Sequence, residues 1–144
     1  MSANRTDVLI VDDNAQDAEL VVDALQRRLP GVTVLVARDG TAAIAILDDL
    51  PASALPRVIL LDLKMSKADG FEVLRRIKED DKTRSIPVVV LTSSALKSDV
   101  QLAHSLGANS YVVKPMEFHE FRKTVARVGE YWLRIDRCFQ PEGT

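Results

Sequence analysis

Four separate segments of the chain end a short apolar run in a side chain able to do chemistry. "VLIVDD" closes on Asp12 and Asp13, "VILLD" on Asp62, "VVVLTSS" on Thr92 and Ser93, and "YVVKP" on Lys114 and Pro115. Near-continuous β-branched runs of this kind read as strands covered on both faces, and open parallel sheets gather their functional groups at the carboxyl ends of the strands. If these ends share one edge, three carboxylates, a hydroxyl and an ammonium meet there. Carboxylates crowded into a partly apolar setting raise one another's pKa and cost stability, so positive charge must stand beside them. Lys114 returns one unit of charge against three, and a divalent cation supplies the remainder. Oxygen donors without His or Cys suit Mg2+, with Mn2+ as the alternative, rather than zinc. Asp13 and Asp62 are read as the direct carboxylate ligands, Asp12 as acting through a bound water, and the backbone carbonyl of Lys64 as a further donor.

A metal, a hydroxyl and an ammonium around one carboxylate suit the stabilisation of a phosphoryl group. The metal and Lys114 each draw charge from a phosphoryl oxygen and the Thr92 hydroxyl donates to a third, which leaves Asp62 as an in-line nucleophile. Asp62 is therefore expected to become an acyl phosphate. Ser93 is read as the small neighbour that leaves the group room.

The elements that must position these residues follow from periodicity. Strands are predicted at residues 8–11, 32–37, 58–61, 88–91 and 111–113. A first helix fits 15–28, a second 41–49 with Asp39 or Thr41 as N-cap, and a third follows Asp69 and Gly70. A fourth opens on "SDVQ", a Ser-x-x-Gln capping box, and ends at Leu106 before Gly107. The alternation predicts a (βα)5 doubly wound, five-stranded parallel sheet. Residues 1–6 and 140–144 read as tails, 7–128 as the domain and 129–139 as a helical extension.

That extension carries its own pattern. Phe118, Phe121, Val125, Val128, Trp132, Ile135 and Phe139 alternate steps of three and four, a heptad seam. A helix over this span would be about 33 Å long, whereas a five-residue strand covers about 17 Å. Its last turns are thus expected to overhang the sheet and offer Trp132, Ile135 and Phe139 to a second copy of the chain. The alternative is an end that folds back on its own domain, with Gly129 marking a bend.

Bulk properties exclude other classes. A chain of 144 residues with 47% hydrophobic content makes one domain with one real core. Nineteen basic against 21 acidic side chains, a formal charge of −2, lack the basic excess of a nucleic-acid binder. A single cysteine, Cys138, gives no internal disulfide, and no apolar run approaches the roughly 20 residues that span a bilayer. A cytoplasmic protein without a membrane or nucleic-acid partner is the expectation.

Taken together, "VLIVDDN", "VILLDLKMSKADG", "VVVLTSS" and "SYVVKP" resemble the receiver domain of two-component response regulators, over about residues 7–128. The resemblance implies a flavodoxin-like fold and phosphotransfer from a phosphohistidine on a sensor histidine kinase to Asp62. It implies a cis peptide between Lys114 and Pro115, and a switch in which Thr92 moves toward the phosphoryl group while Tyr111 rotates inward. The face of the fourth helix, fifth strand and fifth helix would then change partners, a homodimer among them. Two departures stand out: Ser66 replaces a proline common in the family, and Lys64 and Ser94 occupy positions that govern water access. The ending "GEYWLRIDRCF", with no output domain after it, resembles the small regulators paired with phytochrome-type sensor kinases. A haloacid-dehalogenase-type phosphatase would need a second aspartate where Lys64 stands, and a phosphorylation-independent adaptor would not need the acidic set. His104 and His119 read as solvent-facing helix residues rather than phosphorelay histidines.

Overall fold

In the computed structural model, which describes residues 5–65 and 70–135 and for Ile135 the backbone alone, five strands form one parallel sheet. They are β1 (Val8–Val11), β2 (Val34–Ala37), β3 (Val58–Leu61), β4 (Val88–Thr92) and β5 (Ser110–Val113), in the order β2-β1-β3-β4-β5. Helices α1 (Ala15–Arg28), α2 (Gly40–Asp49), α3 (Gly70–Glu79) and α4 (Lys97–Ser105) connect them, and α5 (Phe118–Glu130) follows β5. Because side chains alternate across a strand, the uniformly apolar central strands feed two cores. Leu9, Val11, Ile59, Leu61, Val88 and Val90 pack toward α2, α3 and α4. Val8, Ile10, Val58, Leu60, Val89 and Leu91 pack toward α1 and α5.

The predicted doubly wound sheet is present, and its registers matter for function. Val11 pairs with Leu61, Leu61 with Val90, and Thr92 with Val113, so the four chemistry-bearing strand ends lie on one edge. β1 has β2 on one side and β3 on the other, which opens a crevice at its carboxyl end. Most boundaries agree with the sequence reading to within a residue, and two differences have a physical cause. β2 begins at Val34, and as an edge strand it leaves Leu35 and Val36 exposed rather than covered on both faces. α4 has Leu96 as its N-cap without a side-chain cap, so the Ser98–Gln101 capping box does not form. Ser98 lies inside the first turn, and the Leu96 N–H is instead satisfied by Ser94 Oγ at 3.3 Å.

The fifth helix does continue past Gly129, with a π-helical turn over Tyr131–Ile135. Its buried positions are Phe121, Val125, Gly129 and Leu133, a step of four throughout, and Phe118 is exposed. A stripe stepping by four drifts around an ordinary helix, and the wider π turn keeps Leu133 on the buried side. The described part of this extension therefore packs on its own domain as far as Leu133. Trp132 packs against the core shared by α1 and α5 instead of overhanging it, and Arg57 donates to the Leu133 carbonyl at 2.7 Å. Arg28 of α1 adds an ion pair to Glu130 at 2.7 Å. Gly129 permits this closeness: a Cβ there would lie 2.5 Å from Leu25 Cδ2. The Ile135 side chain, Cys138, Phe139 and Ser66 lie outside the described residues.

Candidate functional site

Each strand end is fixed by backbone before its side chain acts. Asp62 N donates to the Val11 carbonyl at 2.9 Å and Lys114 N to the Thr92 carbonyl at 2.7 Å, which carries the sheet ladder one residue past the strands. Asp12 Oδ1 accepts from Asn14 N at 2.9 Å and Asp62 Oδ1 from Lys64 N at 3.1 Å, so each carboxylate is pinned by its own loop. Asn14 caps α1, its side chain accepting from Asp17 N at 3.0 Å. Gly70 closes the loop from the far side. A Cβ at that position would stand 2.4 Å from Leu63 Cα and 2.6 Å from the Asp62 carbonyl oxygen, so only glycine lets α3 start there.

Lys114 is the centre of the cluster. Its Nζ donates to Asp12 Oδ2 at 2.8 Å, Asp62 Oδ2 at 2.9 Å and Asp17 Oδ2 at 2.8 Å, using all three of its N–H groups. The side chains of Lys114, Asp12 and Asp62 are 7%, 4% and 7% exposed. Burial opposes the Lys114 charge, but the hydrogen bonds to Asp12 and Asp17 and the charges of Asp12 and Asp62 outweigh it and hold the ammonium above the ordinary lysine range. Asp12 is pushed up, by burial above all and by the neighbouring charge of Asp62, against the pull of Lys114. The charge that crowds Asp12 is that of Asp62 on the neighbouring strand end. Among the described residues no group of three or more His, Cys, Asp or Glu is placed to hold one ion together; the ammonium holds Asp12 and Asp62 instead.

Thr92 is fully buried, and its Oγ1 is the buried side-chain polar atom that lacks a partner among the described residues. Ser93 is exposed and lines an open cavity beside the cluster, with Asp17, Lys114, Pro115, Met116 and Phe118. Asp13 is half-buried at the end of β1, and its carbonyl accepts from Arg38 at 3.1 Å. Tyr111 is half-buried and its hydroxyl donates to the Ser94 carbonyl at 2.8 Å, tying β5 to the loop after Thr92. One expectation is corrected: among the described residues no peptide bond is cis, so Lys114–Pro115 is trans. The trans form is the intrinsically preferred one for an X–Pro bond, and Lys114 still reaches all three of its carboxylates from it.

Two acidic residues at this edge were not found from sequence. Asp17 lies in the first turn of α1, where side chains lean back toward the helix N-terminus and so toward the site. That lean, with the helix opening two residues after Asp13, was the available signal. Asp99 accepts from Ser94 Oγ at 2.5 Å and pairs with Lys64 Nζ at 3.2 Å, joining the two positions whose side chains flank the mouth. The Ser94 hydrogen bond, helped by Lys64, holds the Asp99 carboxyl below its usual range. His104 and His119 are exposed, as expected.

A family model described as "Response regulator receiver domain" matches residues 8–126. The chain belongs to that family. Its relatives include the probable methanogenesis regulatory protein FilR2 of Methanothrix harundinacea, 41% identical over 136 residues that cover 93% of this chain and 88% of FilR2. Response regulator Rcp1 of Synechocystis sp. is 36% identical over 129 residues, covering 88% of each protein. The phosphorylated cyanobacterial phytochrome response regulator RcpA superimposes with a TM-score of 0.87 at 33% identity, over 94% of this chain and 99% of that one. The Mn2+-bound form of Rcp1 gives a TM-score of 0.85 at 33% identity over the same shares. This receiver domain is therefore part of a two-component signalling protein related to phytochrome response regulators. No described helix is long and apolar enough to cross a membrane.

Proposed function

We propose that this receiver domain accepts a phosphoryl group on Asp62 from the phosphohistidine of a sensor kinase, in a Mg2+-dependent reaction in the cytoplasm, and thereby switches a protein-interaction face. The observation that carries this reading is the pairing of a buried Asp62 carboxylate, held by Lys114 at 2.9 Å, with a fully buried Thr92 hydroxyl that has no partner among the described residues. A buried orphan hydroxyl costs stability, and a site keeps one when a ligand oxygen is to occupy it.

In the transfer, an Asp62 oxygen bonds to phosphorus as the bond from phosphorus to the donor's imidazole nitrogen breaks, and that nitrogen leaves with the electron pair. Lys114 turns an N–H from the carboxylate to a phosphoryl oxygen, and Thr92 Oγ1 donates to another. The donor set fits a divalent ion. It is made of hard oxygens and carries more negative charge than Lys114 neutralises. Asp13 and Asp62 would hold the ion directly with the Lys64 carbonyl, and Asp12 through water; when bound, it neutralises charge on the phosphoryl oxygens. The chemistry is confined to the chain's own phosphorylation and dephosphorylation.

The hydrogen bond from Tyr111 to the Ser94 carbonyl supports the switch, because it couples β5 to the loop that Thr92 must carry with it. Leu96, Leu102 and Val113 are exposed on the α4 and β5 side, which suits that face to partners, a second copy among them. The likeness to RcpA and Rcp1 supports a phytochrome-type kinase as the donor. The test is mass spectrometry after incubation with Mg2+ and acetyl phosphate. One phosphoryl adduct of about 80 Da is expected, absent in Asp62→Asn. An adduct retained in that variant would refute the assignment.

A further inference from the structure

Asp17 distinguishes this site from the set read off the strand ends. Its carboxylate is the third acceptor of the Lys114 ammonium, at 2.8 Å, and it is held in place from α1, an element none of the other acceptors uses. The Asn14 side chain fixes its backbone and 29% of its side chain remains exposed, on the side of the cavity lined by Ser93 and Pro115. With Asp12 and Asp62 it makes three carboxylates around one ammonium.

The three acceptors of Lys114 fare differently when Asp62 is phosphorylated. Asp62 gives up its carboxylate charge to the new bond, and Asp12 would hold a bound cation through water. Asp17 takes part in neither event and keeps its hold on the ammonium. It also adds a negative charge close to an incoming dianion. We propose that Asp17 is a positioning residue that competes with the phosphoryl group for the Lys114 ammonium, strengthening divalent-cation binding while weakening the hold on the phosphoryl group. This rests on Asp62 being the acceptor.

A structural role and a competitive one differ in sign. If Asp17 merely kept the site folded, removing its charge would weaken both ligands. If it competes, Asp17→Asn weakens the cation and strengthens the phosphoryl analogue, because Lys114 is released and the local negative charge falls. A partly exposed charge pair is worth modest amounts, so each shift is expected at about two- to fivefold.

The experiment uses the full chain and three variants: Asp17→Asn, Asp17→Ala and Asp17→Glu. Mn2+ alone is titrated by the electron paramagnetic resonance of the free ion, and beryllium fluoride by calorimetry at saturating Mg2+. Asp17→Asn and Asp17→Ala are expected to bind Mn2+ more weakly and beryllium fluoride more tightly than the parent, and Asp17→Glu to restore both toward parental values. Losses in both affinities, or no change in either, would overturn the inference. A parent chain that binds beryllium fluoride, beside variants that match it, sinks only the role of Asp17. A parent that neither binds beryllium fluoride nor takes a phosphoryl adduct on Asp62 sinks the proposed function and this inference with it.

Discussion

Replacing Thr92 by valine should make the protein more stable and less able to hold a phosphoryl group. Thr92 is 0% exposed and its Oγ1 has no hydrogen-bond partner among the described residues, so the folded chain carries the desolvation cost of a hydroxyl without the compensating bond. Such a cost is about 1 to 3 kcal/mol. Valine has nearly the same shape, keeps the β-branch that suits β4, and replaces the hydroxyl by a methyl. In a domain of this size about 1 kcal/mol moves the melting temperature by about 2 to 4 °C. An increase of about 2 to 12 °C is therefore expected in Mg2+-free buffer. The same change removes a donor to a charged phosphoryl oxygen, worth about 1.5 to 3 kcal/mol. Beryllium fluoride should bind Thr92→Val roughly 10- to 100-fold more weakly, while Thr92→Ser, which keeps the donor, stays close to the parent. Thermal and urea denaturation give the first quantity and calorimetric titration the second. A Thr92→Val protein less stable than the parent would mean that the hydroxyl is already satisfied, and the argument from its isolation would fall.

Two further perturbations probe how the site is held. Gly70→Ala would place a Cβ 2.4 Å from Leu63 Cα and 2.6 Å from the Asp62 carbonyl oxygen, contacts that no rotamer change relieves. A loss of about 1 to 3 kcal/mol and slower acetyl phosphate labelling are expected. Gly31→Ala, at φ 89° with nothing within 4 Å, should cost stability through its backbone alone and leave labelling unchanged. Labelling of Gly70→Ala at the parental rate would show that the loop after Asp62 moves freely. Asp23 of α1 is held below its usual 3.8, first by the hydrogen bond from Arg122 of α5 and then by that from Arg27. A carboxylate depressed in the folded state stabilises the fold above its unfolded pKa, and that contribution is lost as pH falls through the folded value. Urea midpoints taken at about pH 6 and about pH 3 should therefore converge more in Asp23→Asn than in the parent, and equal acid sensitivity would argue against the pair.

The parts legible from sequence are those fixed by short-range pattern. Uninterrupted apolar runs mark β1, β3 and β4, and the rule that parallel sheets work at their carboxyl ends brings Asp12, Asp62, Thr92 and Lys114 to one edge. β2 was less legible, because its exposed Leu35 and Val36 carry the same apolar signature as covered strand residues. Periodicity does not distinguish an edge from a centre. The seam of α5 misled for a related reason. Phe118 and Trp132 fit a heptad, yet burial follows Phe121, Val125, Gly129 and Leu133, with a glycine at a contact position because Leu25 comes within 2.5 Å of where its Cβ would be. A hydrophobicity pattern gives no weight to a glycine that is buried by packing against another helix.

The residues missed at the site show where strand-end reasoning stops. Asp17 and Asp99 sit in the first turns of helices, and each is drawn to a cation whose position is set by another part of the chain, Lys114 for one and Lys64 for the other. Charge accounting from the strand ends alone left room for one divalent ion and neutrality. Asp17 leaves the same site with one negative charge in excess, so cation and phosphoryl group do not gain equally from the acidic cluster. The resting lysine is fully engaged, with one acceptor for each N–H, and must give one up before it can serve a phosphoryl oxygen. The cost of that exchange depends on which carboxylate releases it. Asp62 does so as a consequence of being phosphorylated, whereas Asp17 keeps its charge, and that difference in fate makes a first-turn residue of α1 a lever on the chemistry of β3.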